Sequence, residues 1–372
     1  MLKGLMDHWV PTNECISKFW KSDIETVKND IDNLKNDISF NNLTFYTKWY
    51  TNGIKTNLPY LRNYAEAQNV KTNNKWGNQI IEYLHDNKIS VGAMMQLLTF
   101  EDSLWEKDMA LGEWDLTSVA IGAKTDSICF IADFTKDVYV SRMKELIKEQ
   151  LTALPKLDYL FFEFEGLTCE MLKKVYVNWA KENNRPALEN VSYDNAARQY
   201  CHELGIEINL LWSNEGREML KCYFKRIFAE IQNILKELNY KGIAGIVYSM
   251  YGYEAFVYPE IIPDKEWWLL PWWYWTFEAP QTSPEIIKVK KQMSKKMLKE
   301  WKDKHYKVCY IGDVALGMNG LDSVKEFYDY CIDAGLDGYI GMGNPECERG
   351  LRWLGVDDKT VMQVRELYKS MY

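Results

Sequence analysis

Short apolar runs alternate with longer amphipathic stretches along the whole chain, and that alternation narrows the folds open to it. The runs are KGLMDHW (3–9), LTFYTKW (43–49), ISVGAMMQL (89–97), LDYLFFEFE (157–165), IEINLLW (206–212), IAGIVYSMY (243–251), YKVCYIGD (306–313) and LDGYIGMG (336–343). Between them, apolar residues recur at helical spacing over 16–38, 76–87, 138–154, 170–204, 217–238, 284–305 and 322–334, with a further stretch after 357. Strand followed by helix, repeated, calls for a parallel sheet covered by helices, and eight repeats close a (β/α)8 TIM barrel. The rival, an open doubly wound sheet, would carry G-x-G-x-x-G after its first strand, and none stands there. Lys241-Gly242 and Ala334-Gly335, just ahead of strands, read as helix C-caps. With no repeat, low-complexity tract or linker, residues 1–372 are expected to form one domain.

Two connections are too long to be turns. Residues 98–134 contain a hairpin pattern, VAIGAKTDSICFIADF, and residues 252–283 hold WWLLPWWYWTFEAP. The expected architecture is therefore a barrel with long loops after strands 3 and 6. Both loops would lie on the C-terminal face, where barrel active sites are built.

Composition excludes some classes of function. Hydrophobic residues at 47% and charged residues at 26% are ordinary for a globular chain. A formal net charge of −8 argues against nucleic acid as a partner, because a phosphate backbone needs a basic face. No apolar run is long enough to span a membrane. The first residues, MLKGLMDHWVPTNE, lack the apolar core of a secretory leader. The eight cysteines are scattered, with no C-x-x-C and no histidine cluster at ligand spacing, so reduced thiols, no metal and no cofactor are expected. Together these point to a cytoplasmic protein acting on a small molecule. Its oligomeric state is left open.

The fourth run, LDYLFFEFEG, reads as a core strand yet ends in two carboxylates. A buried, unpaired carboxylate costs several kcal/mol. Alternation resolves the conflict: Phe161, Glu163 and Glu165 share the inward face, while Phe162 and Phe164 face the helices. An inward carboxylate at the C-terminal end of a barrel strand reads as catalytic, with a structural ion pair as the bland alternative.

Other strand ends carry suitable groups. They are Asp7 and His8 on the first, Trp49 on the second, Gln96 on the third, Trp212-Ser213-Asn214-Glu215 on the fifth, Tyr251 on the sixth and Asp313 on the seventh. The chain holds 15 Trp and 24 Tyr, more than a core needs. Apolar sugar faces stack on such rings, and hydroxyls need acids, amides and His as partners. A carbohydrate is the expected substrate, with Asp7, His8, Trp49, Gln96, Trp212, Tyr251, Trp272 and Trp275 as candidate contacts. His85 and His202 fall within helices and read as surface or packing residues.

Asp158-Tyr159-Leu160-Phe161-Phe162-Glu163-Phe164-Glu165 resembles the fourth-strand D-x-x-D-x-D-x-E signature of glycoside hydrolase family 18, the chitinases and their relatives. The match covers about eight residues plus the barrel pattern, with Phe161 in place of the second Asp and Glu163 in place of the third. The resemblance implies a glycosidase with Glu165 as general acid and Glu163 as the group that orients the substrate's N-acetyl nucleophile. It likens Tyr251 to the sixth-strand Tyr that contacts the N-acetyl group.

Three other readings of the same residues stay open. In a plain retaining glycosidase, Glu165 would be the acid/base and Asp313 the nucleophile, roughly 5 Å away. A non-catalytic sugar-binding barrel would use the aromatics without needing the acid pair. A metal-dependent hydrolase would recruit Asp7, His8 and Glu163, but no H-x-H supports it.

Overall fold

A computed structural model describes residues 1–7, 24–49, 52–53, 74–101, 115–120, 128–132, 134–164, 169–193, 213–250, 259–273, 284–313, 321–342 and 358–372. Twelve strands lie among them: β1 (Leu2–Asp7), β2 (Asn42–Trp49), β3 (Asn52–Gly53), β4 (Ser90–Gln96), β5 (Thr99–Glu101), β6 (Asp115–Ala120), β7 (Ile128–Ala132), β8 (Tyr159–Glu163), β9 (Ile243–Met250), β10 (Trp268–Trp273), β11 (Lys307–Asp313) and β12 (Gly338–Met342). The α-helices among the described residues are α1 (Ile24–Asp37), α2 (Asn74–Asp86), α3 (Asp137–Ala153), α4 (Cys169–Glu182), α5 (Asn214–Glu237), α6 (Pro284–Asp303), α7 (Leu321–Asp333) and α8 (Asp358–Met371).

Eight of the strands are parallel and close on themselves, in the order β1-β12-β11-β10-β9-β8-β4-β2 and back to β1. The fold is a (β/α)8 barrel. Helix faces built from Val27, Ile31 and Leu34 in α1, or Leu220, Phe224 and Ile231 in α5, are buried against it. That burial is the amphipathic spacing of the sequence put to use.

Two strand assignments change. Residues 206–212, expected as the fifth strand, lie outside the described residues, and β8 pairs directly with β9, so nothing intervenes there. The barrel is instead completed by β10, inside the segment expected to be the loop 252–283. Pro271 sits mid-strand, and Pro normally argues against a central strand because it has no N–H for the ladder. The ladder to β11 accordingly skips Leu270 and Pro271, while that to β9 is continuous. The expected hairpin exists as β6 paired antiparallel with β7, and β5 adds a third strand that the sequence pattern did not announce.

The N-terminal end of the barrel is held by one device used three times. Asn41, Asp158 and Asp337 each precede a strand, and each bonds one residue of the neighbouring strand twice. Their backbone N–H groups donate to Lys3 O, Val91 O and Val308 O, at 2.9, 3.0 and 2.8 Å. Their side-chain oxygens accept from the N–H of the same three residues, at 2.8, 2.7 and 2.8 Å. Two of the clamps carry a base from the last turn of the helix before that neighbouring strand. His85 Nε2 of α2 lies 2.8 Å from Asp158 Oδ2, and Lys302 Nζ of α6 lies 2.7 Å from Asp337 Oδ2. His85 is thus structural, as its place in a helix implied.

Of the two expected C-caps, Gly335 holds, with φ of 68° in the left-handed region. At the other helix end Asn239 takes that conformation (φ 53°). Gly242 serves close approach instead: a Cβ there would stand 2.5 Å from Asp158 O and 2.3 Å from the Tyr240 hydroxyl.

Candidate active site

The fourth barrel strand, β8, alternates as its sequence requires. Phe164 meets Phe224 and Phe228 of α5 at ring separations of 5.2 and 5.8 Å, and Phe162 meets Trp267 at 6.2 Å. Those rings face outward. Tyr159 meets Phe161 at 5.8 Å and Trp268 at 5.3 Å, inside the barrel. Glu163 shares the parity of Tyr159 and Phe161 and is fully buried (0% exposed).

The register locates what surrounds it. Glu163 is the ladder partner of Gln96 on one side and Val247 on the other, and Val247 is the partner of Leu270. In an eight-stranded barrel of shear eight, a level plane gains one residue per strand. Glu163 of β8 and Trp272 of β10 therefore belong to one layer, as Tyr159 and Trp268 do four residues lower, where the rings touch. Trp272 is 2% exposed, so its indole is part of the wall around Glu163. Phe161 and Leu270, one layer down, make an apolar floor. Gln96, also 0% exposed, lies on the mouth side of Glu163. The arrangement is a carboxylate with an amide beside it and an aromatic ring across from it, at the end of the barrel where active sites are built.

Asp7, Trp49 and Asp313 end β1, β2 and β11, so the backbone carries them to the same end of the barrel; their side chains are outside the described set. Glu165, His8, Trp212, Tyr251 and Trp275 lie outside the described residues. Ser213 and Glu215, expected at a strand end facing the pocket, are structural instead. The Ser213 hydroxyl caps α5 by accepting from Gly216 N–H at 2.9 Å, and Glu215 accepts from the Ser192 hydroxyl at 3.0 Å. Reading 206–212 as a barrel strand had set them at its end. Sequence reasoning missed the pairing of Gln96 with Glu163, although both stand at the ends of consecutive parallel barrel strands.

At the opposite end of the barrel, a cavity of about 510 Å³ is lined by Lys236, Tyr240, Lys241, Asp264, Glu266 and Lys307, among others. Its acidic and basic groups are balanced, and it lies at the strand starts, away from Glu163. Among the described residues no three His, Cys, Asp or Glu side chains gather as metal ligands. Cys222, Cys309 and Cys331 are free thiols, and burial pushes the Cys309 and Cys331 thiols well up from the usual range. No described helix is long and apolar enough to cross a membrane.

No protein-family model and no curated protein matches the sequence. Solved structures do match. A β-galactosidase from the Antarctic haloarchaeon Halorubrum lacusprofundi aligns with all of this chain and 58% of its own length, at 11% identity and a TM-score of 0.52. The maltogenic α-amylase AmyB from Thermotoga neapolitana aligns with all of this chain and 76% of its own, at 10% identity and a TM-score of 0.51. This chain shares their fold. Against a cycloisomaltooligosaccharide glucanotransferase from Paenibacillus sp. (TM-score 0.46, 10% identity) 83% of this chain aligns, spanning 38% of that one.

Proposed function

We propose that this chain is a glycosidase acting on an oligosaccharide or glycoconjugate, with the fourth-strand glutamates Glu163 and Glu165 as its catalytic carboxylates. One observation carries the reading: Glu163 is a fully buried, inward-facing carboxylate at the C-terminal end of the fourth strand, in the same layer as Trp272. Burying a carboxylate costs too much to serve packing alone. The fold shared with a β-galactosidase and an α-amylase supports the same class.

Glu165, two residues further along the chain, is assigned as the general acid that protonates a glycosidic oxygen. Glu163 is assigned to stabilise or orient the reacting centre. In the arrangement that the family 18 resemblance implies, that centre is a substrate N-acetyl group; in a plain retaining enzyme Asp313 would be the nucleophile. Asp7, His8, Trp49, Gln96, Trp212, Tyr251, Trp272 and Trp275 are the proposed sugar contacts. The free thiols of Cys222, Cys309 and Cys331 support a cytoplasmic setting, with imported oligosaccharides or glycoconjugate fragments as substrates.

The test is a screen of aryl glycosides, including N-acetylhexosaminides, with Glu165→Gln and Glu163→Gln alongside. Glu165→Gln is expected to lower turnover by about 10²–10⁴-fold on poor leaving groups and much less on activated ones. Glu163→Gln is expected to impair both. Near-normal turnover of Glu165→Gln on an unactivated glycoside would sink the assignment. Sugar binding without turnover of any substrate would favour a carbohydrate-binding barrel.

A further inference from the structure

We propose that the cavity at the N-terminal end of the barrel is a second binding site, for a phosphorylated sugar. It lies where the last turns of α5 and the residues leading into β9 meet the starts of β10 and β11, and its volume of about 510 Å³ is in the range of small-molecule pockets. Gln232, Lys236 and Asn239 line it from the helix side. Asp264, Glu266 and Lys307 line it from the strand side, with Trp267 and Trp268 giving it an apolar part. None of these residues belongs to the candidate active site, which stands at the other end of the same strands.

The charged groups of the lining are three ammoniums (Lys236, Lys241, Lys307) and three carboxylates (Asp264, Glu266, Asp337), but they are not equally free. Asp337 already accepts from Val308 N–H at 2.8 Å and from Lys302 Nζ at 2.7 Å, so Lys307, at 3.9 Å, is the more distant of its cations. Lys236, Lys241 and Glu266 make no ion pair among the described residues, and Asp264 Oδ1 accepts from Glu266 N–H at 2.9 Å. With Asp337 matched to Lys302, three ammoniums face two carboxylates. A bare anion would meet the repulsion of both acids, and a neutral sugar would leave the lysines unused. A ligand with a phosphate at one end and hydroxyls along its body answers both. Lysines hold a phosphate as point charges, while the carboxylates and the amides of Gln232 and Asn239 take hydroxyls. Tyr240, also in the lining, has a buried hydroxyl with no hydrogen-bond partner among the described residues, and buried polar groups are normally partnered. It lies over Gly242 of the same lining and adds a donor for a ligand oxygen.

The experiment is calorimetric titration of the full chain with glucose 6-phosphate and ribose 5-phosphate, against glucose and inorganic phosphate. A sugar phosphate is expected to bind at least about tenfold tighter than either simple compound, since only it meets both the lysines and the acids. Its binding is expected to tighten from about pH 5.5 to about pH 7.5, because the second phosphate proton leaves near pH ~6, and to weaken severalfold from about 50 to about 200 mM salt. Lys241→Gln and Lys307→Gln are each expected to weaken it by about three- to tenfold, the range of an exposed charge. Glu266→Gln is expected to weaken the sugar phosphate and to strengthen inorganic phosphate. Inorganic phosphate binding as tightly as the sugar phosphates would mark an adventitious ion only and overturn the proposal. So would the absence of binding by every sugar phosphate at millimolar concentration, or binding indifferent to both lysine substitutions.

The proposal does not rest on the glycosidase reading. Glu163→Gln is expected to leave sugar-phosphate binding unchanged, and the ligand is expected to slow amide exchange over 239–244 and 264–268. Loss of binding in Glu163→Gln, or protection confined to the strand ends around Glu163, would place the sugar phosphate in the candidate active site and overturn the second site. Binding at the cavity in a chain that turns over no glycoside would remove the earlier reading and leave this one standing.

Discussion

Replacing Asp337 with Ala removes three interactions at once from the barrel's N-terminal end, the weakest of them a 3.9 Å ion pair with Lys307. The first is the hydrogen bond from Val308 N–H to Asp337 Oδ2 at 2.8 Å. A bond of that kind to a charged acceptor contributes about 1.5–3 kcal/mol. The second is the ion pair with Lys302, whose side chain is 22% exposed against 21% for Asp337. Partial exposure limits that pair to about 0.5–1 kcal/mol. Asp337→Ala is therefore expected to cost about 2–4 kcal/mol. Asp337→Asn keeps an acceptor for Val308 and loses only the charge, so it is expected to cost about 1 kcal/mol. Lys302→Met should cost less than that, and adding it to Asp337→Ala should cost nothing further. The assay is the urea midpoint of each variant at fixed slope. The glycosidase turnover proposed above, measured where the protein remains folded, should be unchanged, because this end of a barrel carries stability and the other end carries chemistry. A loss below about 0.5 kcal/mol for Asp337→Ala, or equal losses for Ala and Asn, would show that the clamp is not the source of the stability.

Gly335→Ala is expected to cost about 1 kcal/mol from its left-handed backbone alone, since a Cβ there meets nothing within 4 Å, whereas Gly242→Ala should cost several times more because a carbonyl stands in the way; thermal melts compare them. Ser213→Ala should cost about 1 kcal/mol by removing the cap of α5, read from the same melts. Alkaline stability follows the tyrosines. Burial first, and then the Asp32 hydrogen bond, pushes Tyr83 up to about 12 from 10, so its protonated form is favoured in the folded state. That stabilisation is complete below pH 10 and is lost as the pH rises from 10 to 12. Burial pushes Tyr139, Tyr339 and Tyr372 up further still, so phenolate absorbance should lag free tyrosine and then appear together with unfolding. Gradual, independent titration of all tyrosines in a folded chain would refute this.

The barrel was legible because strand and helix periods alternate cleanly, and the inward parity of Glu163 followed from Phe162 and Phe164 needing helices to cover them. What misled was local chemistry. Trp268–Trp273 contains a proline and four tryptophans with Trp267, a composition that fits a loop, but Trp268 and Trp272 face the barrel interior, where large rings fill layers. Conversely, IEINLLW has the pattern of a strand, yet β8 and β9 pair without it. Neither decision can be made from a segment alone, since each depends on which neighbour completes the cylinder. The clamps of Asn41, Asp158 and Asp337 were invisible for the same reason: an Asx before a strand is ordinary until the facing N–H is known.

A cylinder of strands has no free margin, and so no natural place to begin opening. Pro271 supplies one. Where the β10–β11 ladder skips Leu270 and Pro271, the two strands are joined by side-chain packing, with backbone bonds only above and below. That line runs from the starts of the strands towards the layer of Trp272 and Glu163, so the wall beside the candidate site is also the part of the barrel least stitched by its backbone. A breathing motion that parts the staves there would reach the buried carboxylate from the side, and amide exchange in β11 near Tyr310 would be where it first shows.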